Sequence, residues 1–219
     1  MMALGGVSLP VSSDAPIETS SKHRVIIWSH GLATWGSHYS LMATFLSSMP
    51  DRPTVVVAIN HTDGSATASE DYGNGGNEIL YEVVGKGNPE EEAVRERQLK
   101  MRVKNVADAW SSIKAMNDED GPWKGRLDVA GGFVVAGHSF GGGTAVATGI
   151  DHDDCVGAIA FDPWCFPAVN AGYLKAGVDC KVPVLAVTCD RGPLSSPDYW
   201  RRNCALLEML PEKTTDIMR

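Results

Sequence analysis

GGFVVAGHSFGGGTAVATGI, residues 131–150, is the stretch on which the fold turns. Residues 132–136 are a short apolar run with β-branched side chains and predict a strand. Residues 144–150 predict a helix, and between the two stands Gly137-His138-Ser139-Phe140-Gly141. Strand, sharp turn and helix in this order are what a G-x-S-x-G nucleophile elbow requires. There the serine is held in a strained backbone state that exposes its hydroxyl, and small residues two before and two after let strand and helix approach. A larger residue at 137 or 141 is expected to clash. The other reading of a glycine-rich turn, a phosphate loop, needs a Lys-Ser/Thr pair that is missing here. Ser139 is therefore the candidate nucleophile.

Outward from the elbow, residues 25–28, 54–59, 156–161 and 184–188 repeat the strand signature, and helical patterns fall between them at 39–48, from 88 onward, and at 197–210. The long central helix opens on Asn88-Pro89-Glu90-Glu91-Glu92, where an N-cap candidate, a proline and three carboxylates suit the positive helix end. Leu99, Val103, Val106, Trp110 and Ile113 then recur three and four apart, which lays one apolar stripe against a sheet. This alternation predicts a single α/β domain over residues 1–219, a mostly parallel sheet flanked by helices, behind an irregular segment 1–22. With the elbow included, the expected class is the α/β-hydrolase fold. Ligands of open sheets bind beyond the carboxyl ends of the strands, so the chemistry is sought in the loops leaving those ends. The Gly- and Asn-rich segment 72–77 reads as a mobile loop lining the site entrance, and it follows no predicted strand.

Acyl transfer at Ser139 needs donors aimed at the developing oxyanion. The amide of Phe140, one residue after the nucleophile at a helix start, supplies one. The second is expected from Ser29-His30-Gly31-Leu32 after the first strand, with Leu32 N–H as the candidate. His30 reads as a ring that braces this turn, and His138 as a neighbour of the nucleophile turned away from the substrate. The triad acid follows the nucleophile at a strand end, and both Asp162 and Asp190 qualify. His61 leaves a strand end but is a weak candidate base, and His152 in Asp151-His152-Asp153-Asp154 reads as a solvated loop rather than a metal site.

Several stretches in one order, from about residue 23 to the end, resemble the platelet-activating factor acetylhydrolases, the calcium-independent phospholipase A2 type. They are Trp28-Ser29-His30-Gly31-Leu32, Asn60-His61-Thr62-Asp63-Gly64-Ser65-Ala66, the helix from Arg95 to Arg102 with its Arg-x-Arg pattern, the elbow, and Phe161-Asp162-Pro163-Trp164-Cys165-Phe166-Pro167. The resemblance implies a serine esterase acting on the short or oxidised sn-2 acyl ester of a phospholipid. It implies Asp162 as the acid, with Trp164 and Phe166 bordering an apolar acyl pocket. It also implies a histidine base beyond Arg219, since no histidine follows His152, and a chain shortened at both ends. A generic carboxylesterase or polyester hydrolase and a non-catalytic lipid-binding protein are the alternatives.

Composition bounds the partners. At 43% hydrophobic and 21% charged the chain is expected to fold around a core. Its net charge of -8 repels polyphosphate and excludes nucleic acid as an expected partner. The start lacks the basic and apolar regions of a secretory signal, and no run approaches the ~20 apolar residues of a membrane span, so a cytoplasmic protein is expected. The five cysteines, unevenly spaced, read as reduced thiols, and the sequon Asn60-His61-Thr62 as a strand-end loop. No metal and no other cofactor is expected. The expected partner is a phospholipid or other ester substrate, with room for transient contact with a membrane surface.

Overall fold

The computed structural model describes residues 17, 20–49, 52–71, 75–85, 88–189, 197–211 and 215–218. Six parallel strands form one sheet in the order β2-β1-β5-β6-β7-β8. They are β1 (Arg24–Ser29), β2 (Thr54–Ile59), β5 (Phe133–His138), β6 (Cys155–Phe161), β7 (Val184–Val187) and β8 (Thr215–Met218). The helices are α1 (Ser40–Ser47), α2 (Glu91–Asp118), α3 (Phe140–Asp151), α4 (Phe166–Asn170) and α5 (Pro197–Leu207). A two-stranded antiparallel ribbon, β3 (Ala68–Asp71) and β4 (Asn77–Leu80), stands outside the sheet.

The expected α/β-hydrolase architecture is thus present, and all five strands anticipated from apolar runs are found. The ribbon, β8 and α4 are additions. They also correct the reading of the segment 72–77, which follows strand β3 and whose last residue, Asn77, begins β4; residues 72–74 lie outside the described residues. Most of the segment 1–22 lies outside them as well.

Alternation along the strands sends successive side chains to opposite faces. On one face Val25, Ile27, Phe133 and Val135 pack with Leu99, Val103, Val106, Trp110 and Ile113 of α2 and with α3, which realises the stripe read from the sequence. On the other face Ile26, Trp28 and Ala136 meet Leu46 of α1. Asn88 caps more loosely than anticipated: its Oδ1 accepts from Glu90 N–H at 2.9 Å, and α2 begins only at Glu91.

From β1 the chain crosses to β2 on one side, whereas β5 lies on the other side of β1. The strand order therefore reverses between the carboxyl ends of β1 and β5, the crevice where open α/β sheets bind ligands. The loop Ser29–Leu32 leaves β1 at that point, and Ser139 leaves β5.

Candidate active site

Ser139 joins β5 to α3 with φ 56° and ψ −116°, a left-handed conformation that a residue with a side chain adopts only when its surroundings enforce it. The enforcement is visible on both sides of the peptide. Ser139 N–H donates to Phe161 O at 2.9 Å, and Trp164 N–H donates to Ser139 O at 2.8 Å. The glycines do what the sequence suggested. A Cβ on Gly141 would run into the carbonyl of Ser29 and stand 2.8 Å from His30 O. One on Gly137 would run into the carbonyl of Gly141. Strand β5, helix α3 and the loop after β1 are in backbone contact, and no side chain fits between them.

Asp162 lies at the end of β6, on the span whose two flanks grip Ser139. Its own φ is 40°, its N–H donates to Val187 O at 2.8 Å, and its Oδ1 accepts from Cys189 N–H at 2.5 Å. The other acid candidate, Asp190, lies outside the described residues. Trp164 turns its ring onto Phe140, centroids 5.3 Å apart at 58°, and Phe166 opens α4 half-buried.

Phe140 is the first residue of α3, so its N–H has no partner within the helix. Leu32 sits in a tightly braced loop. Gly31 N–H donates to Tyr39 Oη at 3.1 Å, Gly31 O accepts from Thr34 Oγ1 at 3.0 Å, and Ala33, at φ 55°, donates its N–H to Ser65 O at 2.8 Å. Among the described residues no acceptor engages the amide of Leu32 or of Phe140.

Behind this loop lies a polar cluster that the sequence reading did not anticipate as a unit. Arg102 of α2 is wholly buried and donates through Nε to Asp63 Oδ2 at 3.0 Å, through Nη2 to Ser65 Oγ at 2.6 Å, and through Nη1 to His30 O at 2.7 Å. Its guanidinium carbon stands 4.2 Å from the centroid of the Phe140 ring. Burial lowers its pKa to about 10, with Asp63 opposing the shift, so it stays charged at neutral pH. Periodicity had marked α2 only as an apolar stripe. The available signal was the recurrence of Arg95, Gln98 and Arg102 three and four residues apart on the same helix, all three buried.

The histidines are spent elsewhere. His30 donates from Nδ1 to Gly31 O at 2.7 Å and accepts at Nε2 from His61 N–H at 3.2 Å, the bracing role read from the sequence. His61 bonds Ser29 Oγ at 2.7 Å and Asn105 Oδ1 at 3.3 Å, which leaves no ring nitrogen for Ser139. Burial and then the Arg102 charge hold both rings neutral, His30 at about 4 and His61 well below its ordinary value. His138 is held by Tyr39 Oη at 3.0 Å, its pKa lowered by burial, while His152 lies at the other end of the sheet, its Nδ1 accepting from Asp154 N–H. Among the described residues no histidine is hydrogen-bonded to Ser139 or Asp162. Asn60, the sequon residue, has its Oδ1 occupied by Gly36 N–H at 2.7 Å.

The family profile described as "Platelet-activating factor acetylhydrolase, isoform II" matches residues 1–190. The chain belongs to that family. Curated relatives named platelet-activating factor acetylhydrolase include one from Cavia porcellus, 32% identical over 81% of this chain and 46% of its own length, and one from Gallus gallus, 27% identical over 97% and 53%. The chain thus spans about half the length of the relatives it matches. Among solved structures, a ferulic acid esterase from Streptomyces cinnamoneus superposes with TM-score 0.59 at 19% identity, covering 91% of this chain and 50% of that one, a likeness of fold. The structure brings the elbow, the Ser29–Leu32 loop and the Asp162 span to one crevice. Among the described residues no group of three His, Cys, Asp or Glu could hold a metal ion, and no helix is long and apolar enough to cross a membrane.

Proposed function

We propose that this chain carries the nucleophile, acid and oxyanion hole of a serine esterase that cleaves the sn-2 short-chain ester, acetyl or oxidised acyl, of a phospholipid such as platelet-activating factor. The observation that carries the reading is the clamp on Ser139: Phe161 O and Trp164 N–H hold its two backbone groups, and Asp162 lies between them. Ser139 Oγ attacks the ester carbonyl carbon and loses its proton to a base. The oxygen, now anionic, accepts from the amides of Leu32 and Phe140, which are aimed where charge appears only in the transition state. Collapse expels the lysolipid alkoxide, which takes the proton from the base, and water then hydrolyses acyl-Ser139.

Among the described residues no histidine is hydrogen-bonded to Ser139 or Asp162, and both ring nitrogens of His30 and of His61 are engaged by other partners. Under this reading the base is a histidine outside residues 1–219, and Asp162 orients its imidazole. Trp164 and Phe166 stand two and four residues after the acid and are assigned to the border of the acyl pocket. Calcium takes no part in these steps, so chelation is expected to leave the rate unchanged.

A fluorophosphonate probe on protein extended to the length of the relatives tests the nucleophile: Ser139 acquires the adduct, and Ser139→Ala does not. Release of acetate from a 2-acetyl choline phospholipid, compared with an aryl acetate in protein extended to the length of the relatives, tests the substrate. Equal kcat/KM for the two would leave a generic carboxylesterase. Failure to label even in the extended protein would leave a lipid-binding role.

A further inference from the structure

The Asn60–Ala66 stretch and the Arg-rich start of α2 take no part in the chemistry above, yet they converge behind it. We propose that Arg102 is a positioning residue that sets the spacing of the two oxyanion-hole donors, a role that rests on the reading of Ser139, Leu32 and Phe140 given above. One guanidinium touches both halves of the hole. Its Nη1 fixes the carbonyl of His30, two residues before Leu32. Its Nη2 fixes Ser65 Oγ, and Ser65 O in turn holds the N–H of Ala33, one residue after Leu32. Leu32 is therefore anchored from both sides through the same side chain. The other donor belongs to Phe140, whose ring lies 4.2 Å from the guanidinium carbon.

The partners that hold Arg102 are themselves tied down. Asp63 Oδ2 accepts from Nε, while Asp63 Oδ1 accepts from both Ser65 N–H at 3.0 Å and Ser65 Oγ–H at 2.5 Å. Gln98 donates to Asp63 O at 3.3 Å and accepts from Arg95 Nη1 at 2.7 Å. A buried ion pair contributes little net stability compared with apolar packing of the same volume, so stability alone does not account for this arrangement. What a guanidinium supplies is a rigid planar fork that meets several acceptors at fixed angles, which the single ammonium of lysine cannot do. The face left over packs on Phe140. A shift of about 1 Å in a donor costs on the order of 100-fold in rate, so this anchoring matters even though Arg102 touches no substrate.

Arg102→Ala would strand the Asp63 carboxylate without its partner, so the test uses Arg102→Lys and, independently, Asp63→Asn, which removes the counter-charge while keeping the shape. In protein extended to the length of the relatives, fluorophosphonate labelling of Ser139 gives two readouts, a second-order rate constant and an end-point stoichiometry. Trp110→Ala serves as the structural comparator. Arg102→Lys is expected to slow labelling about 10- to 100-fold with the end point still complete, and Asp63→Asn by a smaller factor. If Arg102→Lys does not fold, the rate of Asp63→Asn decides by the same criterion. Wild-type rates in the folded variants would overturn the proposal. So would a loss that appears only as a lower end point and melting temperature, as for Trp110→Ala. An extended wild-type protein that never labels would instead fail the nucleophile reading, and the role of Arg102 with it.

Discussion

The two halves of α2 bury different chemistry against the same sheet. The first half sends Arg95, Gln98 and Arg102 into the interior beside Leu99 and Val103, and its charge reaches the loops at the carboxyl ends of the strands. The second half buries Val106, Trp110 and Ile113, with Trp110 stacked at 4.9 Å on Phe133. Both halves are equally inaccessible to water, but they contribute differently. Apolar burial is non-directional and stabilises roughly in proportion to area. A buried guanidinium gains little net stability and imposes direction, because each donor must meet its acceptor in line. The helix holds the fold with one half and shapes the crevice with the other.

That contrast is open to measurement. Trp110→Ala is expected to have the largest effect on stability, about 3–5 kcal/mol by truncation of a fully buried aromatic side chain, seen as a lower urea midpoint, with the labelling rate of the remaining folded protein unchanged. A slowed rate would break the division between the halves. Gly141→Ala places a methyl on the carbonyls of Ser29 and His30, where the polar half meets the elbow. Its cost should reach about 3 kcal/mol, the upper range for overpacking, and here the labelling rate should fall as well.

Acidification probes the buried histidines beside the polar half, with His138 shifted in the same direction. Folded His30 stays neutral down to about 4, whereas unfolded His30 takes up a proton below its ordinary 6.5, so between these values the unfolded state binds more protons. Stability contributed at neutral pH is then lost as the pH falls from 6.5 towards 4. His30 alone accounts for about 2 kcal/mol by pH 5, and His61, shifted in the same direction, adds to it. Urea midpoints at pH 7 and pH 5 check this; replacing His61 by Asn should flatten the dependence. The smallest effect belongs to the solvent side of the same helix. Lys104→Ala breaks an exposed ion pair to Asp108 four residues on, expected to cost at most about 0.5 kcal/mol with no change in labelling.

The elbow was legible because its requirements are local. A strand, a turn and a helix in immediate succession, with glycines where any Cβ would meet backbone, can be written into about twenty residues. The apolar stripe of α2 was legible for the same reason, since 3.6-residue periodicity is a property of one helix. Arg102 was not. Arginine in a helix normally faces water, and its burial depends on Asp63 and Ser65 arriving from a loop 37–39 residues earlier in the chain. The ribbon β3–β4 escaped notice because Ala68–Asp71 and Asn77–Leu80 are four residues each and only weakly apolar.

Between Asp162 and Asp190 the residues alone left the choice open, as both follow an apolar run that predicts a strand. The tertiary structure adds that the Asp162 span is bonded to Ser139 on both flanks. The sequence by itself determined the fold class, the strand, turn and helix around Ser139 and the order of the parts, because each rests on spacing within a short segment. Only the tertiary structure decided what surrounds Ser139: which span clamps it, why its neighbouring histidines are committed elsewhere, and which buried charge touches both donor loops. Those are contacts between residues far apart in the chain, fixed by how the strands are ordered in the sheet and by nothing that periodicity records.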